Sequence, residues 1–337
     1  MLSLIKNPLF FIATGAGLLL FVFISPVLYG LDPCTDGICL THPEAKRPTP
    51  PKVQRVTQKY GPYTVPGMNK DGGMIEFEDR FPLPCSDCFI AYMHAGLEYP
   101  DGSYANADTG MWLHHLVAFN LNRTDTTCPE MEERIFASGN ERTPIDLTKG
   151  GTINVGYYVG TEDTFGSLIE LMNEVPETRD AVVTVEFEYL PAQSHEFRPV
   201  KTVWLDIDGV CDENRAEVPP PADLTTFSLG MEDHWRMDLS GEVVSFMNHL
   251  HDGGLNLQVI RNGKTACDSA ARYGESTGFV DAKMTHISSM SECPDLTVQR
   301  GEKWWVKANY DFVKHSPMME GSTPAPVMGI ALLYIVE

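Results

Sequence analysis

The chain has 337 residues, of which 43% are apolar and 21% charged, so it is long enough for one large or two ordinary globular domains. Its formal net charge at pH 7 is −21. Because proteins bind nucleic acids through basic patches, this charge argues against a nucleic-acid partner and indicates a solvated acidic surface instead.

An uncharged and largely apolar segment comes first in the chain. Residues 7–31 carry no charged side chain and exceed the ~20 residues needed to cross a bilayer. We expect residues 1–33 to be a signal peptide or a signal anchor, and the sequence leaves both alternatives open. Either one predicts the secretory pathway, and thus an extracellular protein or a type II membrane protein whose folded part lies on the luminal or extracellular side.

The cysteines agree with an oxidising compartment. There are eight, an even number, which predicts disulfides in a secreted chain. Cys34 with Cys39 and Cys267 with Cys293 are candidate pairs, although spacing alone does not define connectivity.

Two further motifs are less informative. Cys85 and Cys88 form a CxxC motif, but no second CxxC accompanies it at the spacing of a zinc site, so we do not expect zinc. Asn122 begins an Asn-Arg-Thr glycosylation sequon, which favours a luminal glycoprotein with this segment at its surface.

A proline-rich segment follows the leader. Residues 34–67 combine repeated prolines with a cluster of lysines and arginines. This composition predicts a stem rather than part of a core.

Short segments of alternating or β-branched residues recur from residue 68 onward, separated by turn residues. They are MIEFEDRF, CFIAYMHA, LHHLVAFNL, TINVGYYV, AVVTVEFEYL, KTVWLDI, EVVSFMNHLH, LNLQVIRNG, KWWVKANYDFV and VMGIALLYIV. This pattern predicts an all-β protein of antiparallel, jelly-roll-like β-sandwiches. The prolines at 219–221 divide it into two consecutive domains, residues 68–221 and 222–337.

Two local patterns inside this region concern a turn and an ambiguous segment. Asn262 and Gly263 predict a hairpin turn, because both residue types tolerate positive φ. The segment GSLIELMNEV, residues 166–175, fits either a short helix or a buried strand.

Two histidine pairs are the candidate metal ligands. In the predicted strand EVVSFMNHLH, side chains at i and i+2 share a face, so His249 and His251 point together. His114 and His115 are neighbours in GMWLHHLVAFN, and both can reach one metal ion only if a β-bulge or turn lies there. Either pair alone fits buried structural histidines, but the two together favour a metal site.

The two pairs, together with a methionine in the terminal strand APVMGIALLYIVE, resemble the copper type II, ascorbate-dependent monooxygenases. This is the family of peptidylglycine α-hydroxylating and dopamine β-monooxygenases. The resemblance implies two copper ions, one in each β domain, on either side of a cleft. It assigns His114 and His115 to the first copper, and His249, His251 and Met328 to the second. A thioether ligand suits Cu(I).

The resemblance extends from about Cys85 to the C-terminus and departs from the family at the first copper. Its third histidine falls in IELMNEVP, where this chain has Met172, so Met172 becomes the candidate third ligand and His94 an alternative. Peptide-amidating members carry an arginine two residues before HxH, where this chain has Met247, which argues against peptide amidation. The stretches DCFIAYMHAGLEYPDGSYANADTGMWLHH, ASGNERT and GYYVGTEDTFGSLIELMNE are similar to the stress-up-regulated nodulin-like branch of plants and fungi.

The resemblance implies a monooxygenase that hydroxylates a C–H bond of a small substrate. O2 is its co-substrate, ascorbate its reductant, and His249, His251 and Met328 its catalytic centre. The alternative is a secreted or membrane-anchored, stress-related β-sandwich protein that binds copper without turnover.

Overall fold

The computed structural model describes residues 53–70, 73–193, 196–208, 211, 216–232, 235–281 and 283–337. These residues belong to one compact unit that begins near residue 51. The predicted leader at residues 1–33 and the predicted Cys34–Cys39 pair lie outside the described residues. Among the residues described, no helix is long and apolar enough to cross a membrane.

The described residues form strands and two short 3-10 helices, Ala107–Thr109 and Thr277–Phe279. In chain order the strands are β1 (Gln54–Val65), β2 (Gly73–Glu78), β3 (Cys88–Glu98), β4 (Met111–Thr124), β5 (Glu132–Gly139), β6 (Ile145–Asp146), β7 (Val155–Val159), β8 (Phe165–Asn173), β9 (Arg179–Pro191), β10 (Arg198–Asp206), β11 (Thr226–Leu229), β12 (Trp235–Arg236), β13 (Gly241–Leu250), β14 (Gly254–Arg261), β15 (Lys264–Tyr273), β16 (Ile287–Met290), β17 (Leu296–Val298), β18 (Lys303–Asp311), β19 (Met319–Glu320), β20 (Thr323–Pro324) and β21 (Gly329–Val336). The all-β prediction is confirmed, and the ambiguous segment GSLIELMNEV is strand β8.

One long sheet runs through the whole molecule in the order β1-β9-β3-β7-β10-β21-β13-β17, with β6 paired to β3. Its pairs are antiparallel except for β7 with β10, a short parallel contact where the chain passes from one half of the sheet to the other. A four-stranded sheet, β2-β8-β4-β5, and a six-stranded sheet, β11-β18-β14-β15-β16 with β12, complete the main architecture.

Two hydrophobic cores lie in this arrangement. The first core gathers buried residues of the four-stranded sheet, such as Leu116 and Ile169, with residues of the long sheet such as Val183. The second core joins the long sheet to the six-stranded sheet and includes Trp304 and Val259.

Strand β21 belongs to both cores. All eight of its residues are buried. Leu332 and Tyr334 lie in the first core, whereas Leu333 and Ile335 lie in the second. Successive side chains of a strand point to opposite faces, so the continuous apolar run GIALLYIV fills both cores at once. This shared strand fixes the two halves against each other.

The predicted stem differs from the structure over residues 54–65. These residues form β1, which pairs with β9 and buries Tyr60, Tyr63 and Val65. The apolar residues that face the core are spaced irregularly, because the register shifts between Tyr60 and Tyr63. Prolines and basic residues therefore hid a strand whose other face is exposed to solvent. The predicted division into residues 68–221 and 222–337 stays a prediction.

The predicted hairpin turn is confirmed. Asn262 and Gly263 both have positive φ, 50° and 75°, and they connect β14 directly to β15. Positive φ at both central residues is the geometry of a two-residue turn whose twist matches the flanking strands.

Three disulfides join the described cysteines. Cys267–Cys293 confirms the predicted pair. The CxxC cysteines Cys85 and Cys88 bond to each other. The third disulfide, Cys128–Cys211, spans 83 residues of sequence.

The shared strand generates a stability prediction. Leu332→Ala and Leu333→Ala remove side chains from opposite cores, and each is expected to lower the free energy of unfolding by about 2–5 kcal/mol. Because one strand serves both cores, each variant should shift a single transition in chemical denaturation. Val313→Ala, at a side chain that is 79% exposed, is the control and should shift it by less than about 0.5 kcal/mol. Two separate transitions, of which each variant moves one, would contradict the shared-strand account.

Candidate metal centre

A β-bulge places His114 and His115 on the same side of β4. Leu113 pairs with Leu171 of β8, but His115 pairs with the next residue, Glu170, so β4 has one extra residue at this point. The bulge turns both buried rings together, with centroids 4.0 Å apart. This is the irregularity that the sequence required if neighbouring histidines were to share a site.

His249 reaches the same place from β13. Its strand partner is Ile330, whose side chain lies in the first core, so His249 faces the first half of the protein. There it packs against Gly139 of β5. A Cβ at Gly139 would lie 2.4 Å from His249 Nδ1, so only glycine leaves room for the ring.

His251 follows β13 and is held by two hydrogen bonds, one from its ring and one from its backbone. Its Nδ1 lies 2.8 Å from the carbonyl oxygen of Pro326, and its backbone N–H donates to the Tyr310 hydroxyl. Gly253, at φ 92°, then turns the chain into β14. The rings of His249 and His251 lie 5.4 Å apart, on the same side as the i, i+2 spacing predicts.

The two histidine pairs meet. His115 Nε2 lies 3.1 Å from His251 Nε2 and 3.3 Å from His249 Nε2. The ring of His114 lies 4.9 Å from that of His251, centroid to centroid. The four imidazoles therefore form one cluster between the halves, which we call the four-histidine cluster, rather than two pairs separated by a cleft.

Each Nδ1 contact determines which ring nitrogen carries the proton. The Pro326 carbonyl can only accept, so His251 Nδ1 donates to it. His115 Nδ1 lies 2.7 Å from Glu170 Oε2, and His249 Nδ1 lies 3.0 Å from Glu141 Oε2. In neutral rings with Nδ1 protonated, all three Nε2 atoms are unprotonated and face one another.

Burial keeps the rings of His115 and His251 neutral. It lowers the pKa of His115 to about 3, helped by the neighbouring His114, although Glu170 opposes the shift. Burial and the surrounding histidines also lower the pKa of His251 well below its usual value. Burial alone would raise the pKa of Glu170, but the contacts with His114 and His115 outweigh it and hold that pKa well below its usual range.

This donor set fits a metal ion. Unprotonated nitrogens about 3 Å apart have no proton to share, and they repel each other unless a cation lies between them. A tetrahedral ion with metal–nitrogen bonds of about 2.0–2.1 Å holds its ligands about 3.3 Å apart, close to the separations found here. His114 Nε2 is buried and has no hydrogen-bond partner among the described residues, so it is available as a further ligand.

The two candidate methionines lie in different surroundings. Met328 is buried and lines a cavity together with His115 and Glu170. Met172 is half-buried on β8, and a Cβ at Gly73 of the edge strand β2 would lie 3.0 Å from its sulfur. The structure thus places Met328 in a cavity that His115 also lines, and shows Met172 packing against Gly73 of the edge strand.

His94, the alternative to Met172, lies on β3 opposite Glu186.

The carboxylates that orient the rings, Glu170 and Glu141, were missed in the sequence. Glu170 follows the alternation of β8, where it resembles an ordinary solvent-facing residue. Glu141 lies just after Gly139 in ASGNERT, and its side chain is fully buried. Ligating histidines usually donate their other N–H to a carboxylate or carbonyl, so these groups complete the site.

A second group of possible ligands lies nearby and has a different structure. Ligand atoms of Glu174, Asp281 and His286 lie within 4.8 Å of one another. His286 Nδ1 is bound to the buried Asp252 at 2.6 Å, and although burial opposes it, Asp252 raises the pKa of His286. Asp252 is therefore a buried carboxylate that supports His286.

Comparison with known proteins identifies the family. No family model matches the chain. It is 34% identical over 310 residues to the probable copper-dependent oxygenase M1 of Phoma sp. (strain ATCC 20986 / MF5453), which covers 90% of this chain and 78% of that protein. It is 35% identical over 249 residues to the probable copper-dependent oxygenase clz3 of Cochliobolus lunatus, covering 73% and 78%. The chain belongs to this family of probable copper-dependent oxygenases.

Solved structures give only a distant similarity. A crystal structure of peptide-N(4)-(N-acetyl-β-D-glucosaminyl) asparagine amidase matches with a TM-score of 0.41 and 8% identity, over 84% of this chain and 96% of that one. PNGase F of Flavobacterium meningosepticum matches with a TM-score of 0.40 and 8% identity, over 85% and 96%. At these values the similarity does not bear on function.

The close approach at Gly139 yields the first prediction for the site. In Gly139→Ala the new methyl group displaces the His249 ring, and we expect copper affinity, measured by titration against a competing chelator, to fall by at least about tenfold. Gly160→Ala is the control, because its Cβ would lie 3.3 Å or more from its nearest neighbours. Unchanged affinity in Gly139→Ala would show that the position of His249 does not matter for the metal.

The buried carboxylate of Glu141 yields a second prediction for the site. Glu141→Gln keeps the shape of the side chain but removes the carboxylate that accepts the hydrogen bond from His249 Nδ1, so copper affinity should fall by about 10–100-fold. Glu133→Gln is a matched control, since Glu133 is equally buried but bonds to Tyr157. If Glu141→Gln and Glu133→Gln bound copper with the same affinity, Glu141 would have no specific role at the metal centre.

Proposed function

We propose that the protein is a copper-dependent oxygenase whose copper is held by the four-histidine cluster, His114, His115, His249 and His251. The observation that carries this proposal is the close approach of His115 Nε2 to the Nε2 atoms of His251 and His249, at 3.1 and 3.3 Å. Family membership supports copper as the metal, and so does an imidazole-rich donor set with a thioether nearby, because Cu(I) accepts both ligand types.

The chain's own groups prepare the centre. Glu170, Glu141 and the Pro326 carbonyl hold the protons on Nδ1 and orient the rings. The surrounding strands bury all four histidines and keep bulk water from them. A bound copper ion would supply the redox chemistry needed to insert oxygen into a C–H bond.

The ligand assignment refines the one that the resemblance implies. That assignment gives the two pairs to separate coppers, with Met172 at the first and Met328 at the second. We favour a centre shared by both pairs, because His115 approaches both His249 and His251, and we keep Met328 as its thioether ligand. Met172 stays a candidate ligand only if a second ion binds.

The remaining features of the activity rest on the resemblance. We propose O2 as co-substrate, ascorbate as reductant and hydroxylation of a small substrate as the reaction. Three disulfides among the described cysteines support a secretory or extracellular location, since such bonds persist in oxidising compartments. Membrane anchoring through residues 7–31 belongs to the same proposal.

Copper stoichiometry tests the centre. We expect one copper per chain in the purified, dialysed protein, lost in both His114→Ala and His249→Ala, because the pairs serve one ion. His315→Ala, at a half-buried ring stacked on Tyr273, is the control and should keep its copper. Two coppers, with one lost in each variant, would favour separate sites instead. Absence of copper in the parent protein would contradict the proposal.

Turnover separates an oxygenase from a copper-binding protein. In an enzyme, O2 uptake driven by ascorbate should be coupled to a hydroxylated product, and His249→Ala should abolish both. Copper binding without coupled product would favour the alternative of a binding or stress-related protein.

A further inference from the structure

The outer face of the four-stranded sheet carries an unusual stripe. His115, Val117 and Phe119 alternate along β4 and share the face opposite to that of Leu116 and Ala118, where Val117 still packs against residues of the first core. Their neighbours Leu116 and Ala118 occupy the core face. A sheet with one face in a core normally turns polar residues outward, so apolar residues on this face need a partner.

The stripe continues across neighbouring strands. Val117 pairs with Leu168 of β8, and Leu168 pairs with Phe77 of the edge strand β2. The next row holds His115, Glu170 and Ile75 in the same way. An apolar row therefore lies directly beside the row that contains a histidine of the proposed copper centre.

A cavity of about 190 Å³ covers this stripe. Ile330 of β21, Met328 just before that strand and Trp204 of β10 form its opposite wall. Towards solvent it ends at Ile75 and Phe77, which are 38% and 62% exposed. The cavity thus leads from two apolar side chains at the surface to His115 and Met328.

The charges around the cavity disfavour an anion. Glu170, Asp206 and Glu217 line it. Arg134 is the only lysine or arginine among the described residues of its lining, and its guanidinium is already engaged. It binds Asp125 through two nitrogens at 2.8 and 2.9 Å and stacks on Trp204. Away from the metal centre, a substrate carboxylate would therefore lose its hydration without gaining a cationic side chain as a partner.

We infer that this cavity binds the substrate, and that the substrate presents an uncharged hydrocarbon segment to the metal centre. The inference rests on the proposed oxygenase function and adds the substrate class. Binding is driven by burying the hydrocarbon against Phe77, Leu168 and Val117, while Glu170 and its neighbours exclude acids. The substrate is thus an aliphatic or aryl compound whose reacting end is neutral.

Binding can be measured without turnover. The uncharged fluorescent probe N-phenyl-1-naphthylamine is titrated into the full chain, with and without copper, and displaced by decan-1-ol or by decanoate. We expect one probe site, with decan-1-ol binding at least about tenfold more tightly than decanoate, because the acid must be desolvated. Decanoate binding as tightly as the alcohol would overturn the inference.

Two rim variants locate the site. Phe77→Ser should weaken probe and decan-1-ol binding by about tenfold, since it removes exposed apolar surface that the ligand covers. Val313→Ser is the control, at an exposed apolar residue outside the cavity, and should change neither. Ile75→Lys places a cation at the entrance and should raise decanoate affinity. Unchanged binding in Phe77→Ser and Ile75→Lys would place the probe elsewhere and overturn the inference.

Copper content and molar mass separate the remaining outcomes. Phe77→Ser should retain the parent's copper, and His249→Ala should retain probe binding. Bound copper without a site for the neutral probe would contradict the substrate inference and leave the oxygenase proposal unaffected. A site for the neutral probe without bound copper would contradict the oxygenase proposal and leave the binding of neutral ligands in the cavity unaffected. A parent dimer that becomes monomeric in Phe77→Ser would show that a second copy covers the stripe, which also overturns the inference.

Discussion

The structure depends on a strand that is buried on both faces. Side chains of β21 alternate between the first and second cores, so each half needs this strand for its own packing. Its neighbour β13 pairs with it in fixed register, with His249 opposite Ile330. Because a one-residue slip would exchange the two faces, burial on both sides locks this register. The second histidine pair is thereby held against the first.

The meeting of the histidines carries an electrostatic cost that explains the rest of the centre. Packing four imidazoles out of water is tolerable while they remain neutral, and burial ensures this for His115 and His251. Unprotonated nitrogens that face one another still repel. A metal ion at the proposed centre would relieve the repulsion, and because its ligands would come from both halves, its binding would also stabilise their association. The negative charge of Glu170 partly compensates the positive charge of such an ion.

Much of the fold could be predicted from residue pattern. Every strand expected from alternating or β-branched segments is present, because each has a face in one of the cores. Strand β1 was hidden by prolines and a register shift at Tyr60 and Tyr63. The histidines were recognisable by residue type and spacing, and the bulge at His114 was expected as a condition for their sharing a site. The meeting of the two pairs in one cluster was not expected. It depends on how β4 and β13 approach each other from the two halves, and no local sequence pattern specifies that approach. Glu170 and Glu141 were missed for the same reason: a glutamate beside an apolar run normally marks a solvent face.

The alternation of side chains along β4 gives the two faces of one sheet different surroundings. On β4, Leu116 and Ala118 hold the fold together, whereas His115 and Val117 face the cavity on the other side. The bulge between Leu113 and His115 adds a residue to β4 where the strand enters the four-histidine cluster. Ile75 and Phe77, at the exposed end of the cavity, lie outside both cores, so substitutions there act on the proposed binding face more than on the core.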